Sequence, residues 1–437
     1  AEEIIDRAIA EKVDVVGISG LITPSLGEMI YLAEKMEAAK LNIPLLIGGA
    51  TTSQLHTALK IDGVYENSVV HVSDASRAVS VVSRLLDGTK DFKEEVAEEY
   101  ANIRSAYDRR KISAPIAIKE ARQNAAKLTF PYEGMRSPSF LGAQTITDIE
   151  TKSLVPFIDW TPFFRTWDIA GSYPRILEDG KVGESAKNLY ADGLEMLDEI
   201  ISKNWITPRA VIGFWPAYTL GDDIAVFNDE EQTEQVATFH TLRQQVRHSD
   251  SRPHYALSDF IAPEHSEIKD HIGAFAVSTG HGIEQYCEEF VANGDDYRSI
   301  MVQALADRLA EACAEYLHHE VRTRYWGYER ADFTNEELIR ERYQGIRPAP
   351  GYPACPDHTE KGTIFSLLNA RESIGIELSE TFMMSPSASV SGLYFAHPKS
   401  RYFGVRRIDR DQVEDYALRK QLSVSEIERW LAPVIYY

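Results

Sequence analysis

The sequence predicts an α/β part, half of a doubly wound parallel sheet, followed by a larger α+β part: one curved antiparallel sheet with helices on one side. Three observations carry this. Residues 1 to 88 repeat strand, loop and helix three times, the pattern of βα units. Beyond about Leu128, strand-like runs and helices alternate without that spacing. Between the later elements lies Arg347-Pro-Ala-Pro-Gly-Tyr-Pro-Ala-Cys-Pro356, which can be neither helix interior nor central strand, because proline fixes φ and removes backbone donors. The expected organisation is a first domain over 1–88, a charged helical linker over 89–128 and a second domain over 129–437.

Residues 1 to 12 read as a helix. Val13-Asp-Val-Val-Gly-Ile-Ser19 is a β-branched run suited to a buried parallel strand. A helix from about Leu26 to Lys40 follows, with Met29, Ile30, Leu32, Ala33, Met36 and Ala39 as its apolar face. The second strand, Ile43 to Ile47, runs into Gly48-Gly49-Ala50-Thr51-Thr52. The third, Val69 to Val72, meets Ser73-Asp74 as a cap and a helix through about Leu86. Ligands of such sheets sit at the carboxyl ends of the strands, where small residues let the backbone approach closely. Ser19, Thr23 and Ser25, Gly48 and Gly49, and Ser73 and Ala75 occupy those places. A nucleotide-like tail fits there, although a tight turn explains Gly-Gly equally well.

Residues 88 to 128 are charge-rich and read as one or two exposed helices joining two domains. In the second part, Ala210 to Trp215, Ile224 to Phe227, Ile272 to Val277 and Ser389 to Phe395 read as strands. The helix from about Asp296 to Tyr325 repeats apolar residues at helical spacing and reads as a central core helix.

Composition narrows the function classes. The chain has 437 residues, 44% of them hydrophobic and 26% charged, which is ordinary for a soluble globular protein. With 46 basic and 67 acidic residues the formal charge is 46 − 67 = −21, and no run of Lys or Arg stands out. That argues against nucleic acid and anionic membrane as partners. There is no apolar run of membrane-spanning length. Three distant cysteines, Cys287, Cys313 and Cys355, make no disulfide framework and fit a reducing cytoplasm. The chain opens without Met inside an amphipathic pattern and reads as part of something longer.

Arg347 in a stiff loop is suited to a planar anion, since its fork meets a carboxylate or phosphate with two hydrogen bonds. The carbonyls of that loop, with no ladder to join, are expected to face solvent or a ligand. Tyr352, Tyr402 and Phe403 offer a flat surface for an adenine-like ring or a face for a cation, though each singly suits a core. Asp159 suits either an ammonium partner or a helix N-cap. His318-His-Glu320 is not a zinc pair, and Cys355 with His358 gives too few ligands, so no metal site and no catalytic side chain is assigned.

The residues resemble a known family. Ile18-Ser-Gly-Leu-Ile-Thr-Pro-Ser25, Leu46-Ile-Gly-Gly-Ala-Thr-Thr-Ser53 and Ala75-Ser-Arg77 look like the later loops of the cobalamin-binding domain of cobalamin-dependent methionine synthases, a flavodoxin-like fold. Ile158-Asp-Trp-Thr-Pro-Phe-Phe164, Asn335-Glu-Glu-Leu-Ile-Arg340 and Gly345-Ile-Arg-Pro-Ala-Pro-Gly-Tyr-Pro-Ala-Cys-Pro356 look like the activation domain, which binds S-adenosylmethionine. The resemblance covers nearly the whole chain. It implies that Ser19, Thr23 and Ala75 contact the cobalamin nucleotide tail and corrin side chains, that Ser25 belongs to the hydrogen-bond relay behind the axial histidine, and that Gly48 and Gly49 belong to the same cobalamin-binding site. It likewise implies that Asp159, Glu311, Glu341, Arg347, Ala349, Gly351, Tyr352, Tyr402 and Phe403 form the S-adenosylmethionine site, with Glu311 and Glu341 near the sulfonium.

The activity so implied is a methyltransferase's reductive reactivation. Cobalamin that has oxidised takes an electron from flavodoxin or a similar reductase and a methyl group from S-adenosylmethionine, which restores methylcobalamin for methionine biosynthesis. The family's D-x-H-x-x-G motif, whose histidine ligates cobalt, is absent and is expected upstream of Ala1, together with the homocysteine and folate domains. The fragment alone is not expected to complete the cycle, and its sheet is expected to leave an unpaired edge. The alternative is a non-catalytic module that binds S-adenosylmethionine and docks flavodoxin without holding cobalamin.

Overall fold

The computed structural model describes residues 1–20, 25–49, 51–72, 75–86, 90–109, 115–130, 136–248, 251–264, 266, 268–329, 333–334, 337–338 and 341–437. The chain divides into two compact units, residues 1–115 with 425–436 and residues 116–424 with Tyr437.

In the first unit α1 (Glu2–Glu11) leads to β1 (Val16–Ser19), α2 (Ser25–Ala38) to β2 (Leu45–Gly48), and β3 (Val69–His71) to α3 (Ala75–Leu86). The strands pair in parallel in the order β1-β2-β3. Alternation along β2 builds two layers. Leu45 and Ile47 join Met29, Leu32, Ala33 and Met36 of α2 on one face, while Leu46 joins Val70 and Val72 on the other. This is why the strand sequences are apolar throughout: helices cover both faces of a parallel sheet.

Where the sequence suggested an exposed linker, α4 (Lys90–Arg109) instead packs on that second face. Phe92, Val96 and Tyr100 are buried with Leu46, Ala58 and Val70, and the Tyr100 hydroxyl accepts the His71 N–H at 2.9 Å. Arg104 binds Asp62 at 2.7 Å and the Ala58 carbonyl at 2.9 Å. The many charged residues of this helix, acidic ones above all, hid a narrow apolar stripe, which is enough to dock it.

The second unit is built on an antiparallel sheet of β4 (Gly142–Ile146), β5 (Arg209–Leu220), β6 (Asp223–Phe227), β7 (Gln235–His240), β8 (Asp270–Ser278) and β11 (Ser389–Tyr394). The order is β11-β8-β5-β6-β7, with β4 also on β5. The short pair β9 (Glu377–Leu378) and β10 (Met384–Ser385) stands apart. Pro216 lies within the long strand β5, at the one point where a missing donor is harmless. β4 pairs with β5 only up to Phe214 and β6 only from Ala217, so Pro216 sits in the gap between them.

Helices cover both faces of this sheet, not one as the sequence suggested. Ile212 and Phe214 of β5 and Phe275 of β8 face the long helix α8 (Asp296–Glu320). Val211, Trp215, Ile272 and Ala274 face the opposite way, against Ile364 and Leu368 of α9 (Glu360–Leu368). Every residue of β8 is buried, so no polar face existed to mark an outside. Further helices are α5 (Thr161–Arg165), α6 (Gly183–Ser202) and α7 (Ile283–Ala292) before α8, and α10 (Arg410–Lys420) after α9. The central helix read from the sequence is α8, closed by a π turn over Val321–Tyr325.

Candidate functional site

The proline-rich loop is anchored to the outer edge of the sheet. Ile346 N–H donates to the Phe395 carbonyl at 3.1 Å, Phe395 N–H to Ile346 at 3.0 Å, and Leu393 N–H to the Pro348 carbonyl at 2.9 Å. An edge segment needs bonds on one side only, which is why Pro348 is tolerated there. The expectation of open carbonyls is corrected accordingly. The loop then closes on itself: Tyr352 N–H donates to Ala349 at 3.2 Å, Cys355 N–H to Tyr352 at 2.9 Å and Gly351 N–H to Cys355 at 2.7 Å.

Gly351 adopts φ +94, and a Cβ there would stand 2.2 Å from the His358 ring. Both the backbone angle and the contact therefore require glycine. Burial, reinforced by Lys361, holds His358 down to about 4, so the loop rests on a neutral ring. Tyr352 is presented at the tip, 59% exposed.

Arg347 is fastened from beneath. Its backbone N–H donates to the Tyr402 hydroxyl at 3.0 Å, and its Nη1 meets Glu315 Oε2 at 2.6 Å and the Tyr343 hydroxyl at 3.1 Å, with His318 Nδ1 at 3.5 Å. Burial works against the charge of Arg347, but Glu315 overrules it and the guanidinium stays protonated. Burial, with Arg347 and Arg322 close by, holds His318 neutral. Among the described residues the bonds of Arg347 fall on its backbone and on Nη1, leaving the Nε and Nη2 edge without a protein partner.

Glu311 lies one turn before Glu315 on α8, and its charge acts on both Arg347 and Tyr352. Glu341 has φ 52, a left-handed conformation that costs a residue with a side chain roughly 1 to 3 kcal/mol. It lines a cavity of about 600 Å³ with Tyr343, Gly345, Ile346, Lys399 and Tyr402. Phe403 is turned toward the core, 5.8 Å from Tyr255 and 6.2 Å from Phe260 between ring centres.

Asp159 lies just before α5, whose N-cap is Trp160, and its Oδ1 accepts the Thr161 N–H at 2.9 Å. Among the described residues, no hydrogen bond or ion pair joins it to Arg347. Of the residues expected at this site, the structure joins Arg347 to Tyr402 by a hydrogen bond and puts Glu311 within electrostatic reach of Arg347 and Tyr352, with Glu341 beside Tyr402 in the wall of the cavity.

Comparison with known proteins decides the family. The model for vitamin B12 dependent methionine synthase, activation domain, matches residues 150–421. The chain belongs to this family. A B12 binding domain model matches residues 1–74. The chain is also similar to a crystal structure of the MetH reactivation domain bound to AdoHcy, at 50% identity and a TM-score of 0.70, over 74% of this chain and 100% of that chain. The Arg347 loop and α8 therefore lie within the activation domain.

In the part that this second model matches, Ser19 lies at the end of β1, Gly48 at the end of β2 and Ser25 at the start of α2, and Ala75, immediately after it, lies at the start of α3. Thr23, Ser73 and the side chain of Ala75 lie outside the described residues. Gly49 has φ +105, and a Cβ on it would come 2.2 Å from the Gly20 carbonyl. Thr51 Oγ1 donates to that same carbonyl at 3.0 Å. Packing of one loop on the other thus accounts for Gly49, whereas a Cβ on Gly48 would meet only ordinary contacts. Small residues and hydroxyls at the strand ends suit the close approach of a large cofactor.

Sequence reading missed Glu315, Tyr343 and Arg322. The available signal was a carboxylate four residues after Glu311 on a helix otherwise read as core, since a buried carboxylate requires a partner. Among the described residues no group of three or more His, Cys, Asp or Glu is placed to hold a metal, and no helix is long and apolar enough to cross a membrane.

Proposed function

We propose that the chain is the reductive reactivation module of a B12-dependent methionine synthase, acting in methionine biosynthesis. It binds S-adenosylmethionine at the Arg347 loop and delivers the methyl group to cobalamin after one-electron reduction. The observation that carries this is Arg347, protonated and fixed by Nη1, with its Nε and Nη2 edge open beside two acids and an exposed tyrosine. The half-identical MetH reactivation domain, crystallised with AdoHcy, supports the same ligand class.

The ligand carboxylate takes the open edge of Arg347, and its ammonium takes Asp159. Glu311 and Glu341 face the sulfonium, whose positive charge nearby carboxylates stabilise. Ala349, Gly351, Tyr352, Tyr402 and Phe403 surround the adenosine. Cobalamin is held by Ser19, Thr23, Ser25, Gly48, Gly49 and Ala75, and when bound it supplies the methyl-accepting, one-electron chemistry. The sulfonium is already an activated leaving group, so these side chains need only orient the methyl and exclude water. A reductase such as flavodoxin and the homocysteine and folate domains of the same protein are the partners, in the cytoplasm.

Calorimetry tests the site. S-adenosylmethionine should bind one to one and about tenfold more tightly than AdoHcy, which lacks the positive charge; tenfold corresponds to about 1.4 kcal/mol. Glu311→Gln should narrow that ratio. Absence of S-adenosylmethionine binding would contradict the function, and equal affinity of the two ligands would contradict the placing of the sulfonium.

A further inference from the structure

Beneath the loop, Glu315 stands between two arginines. Its Oε2 accepts Arg347 Nη1 at 2.6 Å. Its Oε1 is buried without a hydrogen-bond partner, and so is Arg322 Nη2, 4.0 Å away. Arg322 is fully buried; Glu329 holds its Nη1 at 3.0 Å, and its guanidinium lies 4.2 Å from the centre of the Tyr343 ring. Tyr343 thus covers one arginine with its ring and accepts from the other with its hydroxyl at 3.1 Å.

This arrangement has a direction. A guanidinium has two edges able to grip a carboxylate in a bidentate manner, and rotation about its stem would offer either. Glu315, Tyr343 and His318 all gather at Nη1, so they fix the plane and leave one edge for a ligand. A buried carboxylate is costly unless paired, and Glu315 has little to do for the core: its Oε1 is unmatched, and its sole close ionic partner among the described residues is Arg347.

We propose that Glu315 is a positioning residue for S-adenosylmethionine, orienting Arg347 so that its Nε and Nη2 edge meets the ligand's carboxylate, with the Tyr343 hydroxyl as the second fixing point. The proposal rests on Arg347 being the carboxylate site. Specificity for an α-amino acid tail then depends on a side chain that never touches the ligand. Preorganisation of this kind raises affinity by removing an ordering cost.

The test is calorimetric titration of the full chain with S-adenosylmethionine and with its decarboxylated analogue. Wild type should prefer the carboxylated ligand. Glu315→Gln should lower affinity for S-adenosylmethionine roughly tenfold or more, as expected when a charge-assisted contact loses its fixing partner. Affinity for the analogue should change little, so the preference collapses. Glu315→Asp, which restores the charge, should recover part of it. Tyr343→Phe keeps the ring over Arg322 and removes only the hydroxyl; it should give a smaller loss of the same preference, and it decides the matter if Glu315→Gln does not fold. Wild-type preference in Glu315→Gln, or in Tyr343→Phe if that variant must decide, overturns the positioning role. If Arg347→Ala also keeps the preference, the carboxylate assignment fails as well; if Arg347→Ala loses it, the assignment stands and only the role of Glu315 falls.

Discussion

Arg347→Ala is expected to weaken S-adenosylmethionine binding by roughly 100-fold or more. Two charge-assisted hydrogen bonds to a carboxylate are lost at once, each worth about 1.5 to 3 kcal/mol. The same substitution also costs folding stability, because Glu315, 8% exposed, loses its close ion-pair partner and is left with Arg322 at 4.0 Å. The decarboxylated analogue provides the control: its affinity should fall far less. Calorimetry on both ligands checks this, and an unchanged S-adenosylmethionine affinity would remove Arg347 from the site.

The second large effect concerns the scaffold. Arg243→Leu should destabilise the second unit by about 3 to 5 kcal/mol, the usual consequence of stripping one partner from a buried ion pair. Arg243 bonds Asp222 Oδ1 at 2.8 Å, both oxygens of Asp259 at 2.8 Å and the His254 carbonyl at 2.7 Å. Its side chain is 3% exposed, and those of Asp222 and Asp259 are 1% and 7%. Leucine would strand two buried carboxylates, although Arg122 still reaches Asp222 at 2.7 Å. Urea unfolding of Arg243→Leu, followed by signals from the second unit, should show the loss. Adding Asp259→Leu should recover part of it, because the stranded charge is then removed. If the double variant is as unstable as the sum of the single ones, the ion-pair reading of this cluster is wrong.

The sequence made the first unit legible because parallel strands covered on both faces leave an unmistakable apolar run, as in Leu45 to Ile47. It did not reveal α4 as part of that unit, since three apolar residues among charges, Phe92, Val96 and Tyr100, carry the docking. In the second unit β5, β8 and β11 were visible. The short, mostly exposed β4 was not, because its middle residues face solvent and pairing alone defines it, nor was β7, where only Phe239 is fully buried and no clear alternation marks the strand. At the site, the proline run announced the loop and Arg347 its chemistry. Glu315 stayed hidden because helical periodicity assigned its face to the core, and only tertiary contact shows which buried position carries a charge. Asp159 was ambiguous between ammonium partner and cap; in the structure one of its oxygens accepts the Thr161 N–H at the start of α5.

The most direct test of the central claim follows the methyl group. The full chain, supplied with cobalamin, a low-potential one-electron reductant and methyl-labelled S-adenosylmethionine, should move label to the corrinoid with saturable dependence on S-adenosylmethionine. Arg347→Ala should abolish transfer at ligand concentrations that saturate the native chain. Label transfer equal in the native chain, in Arg347→Ala and in protein-free controls would contradict the account.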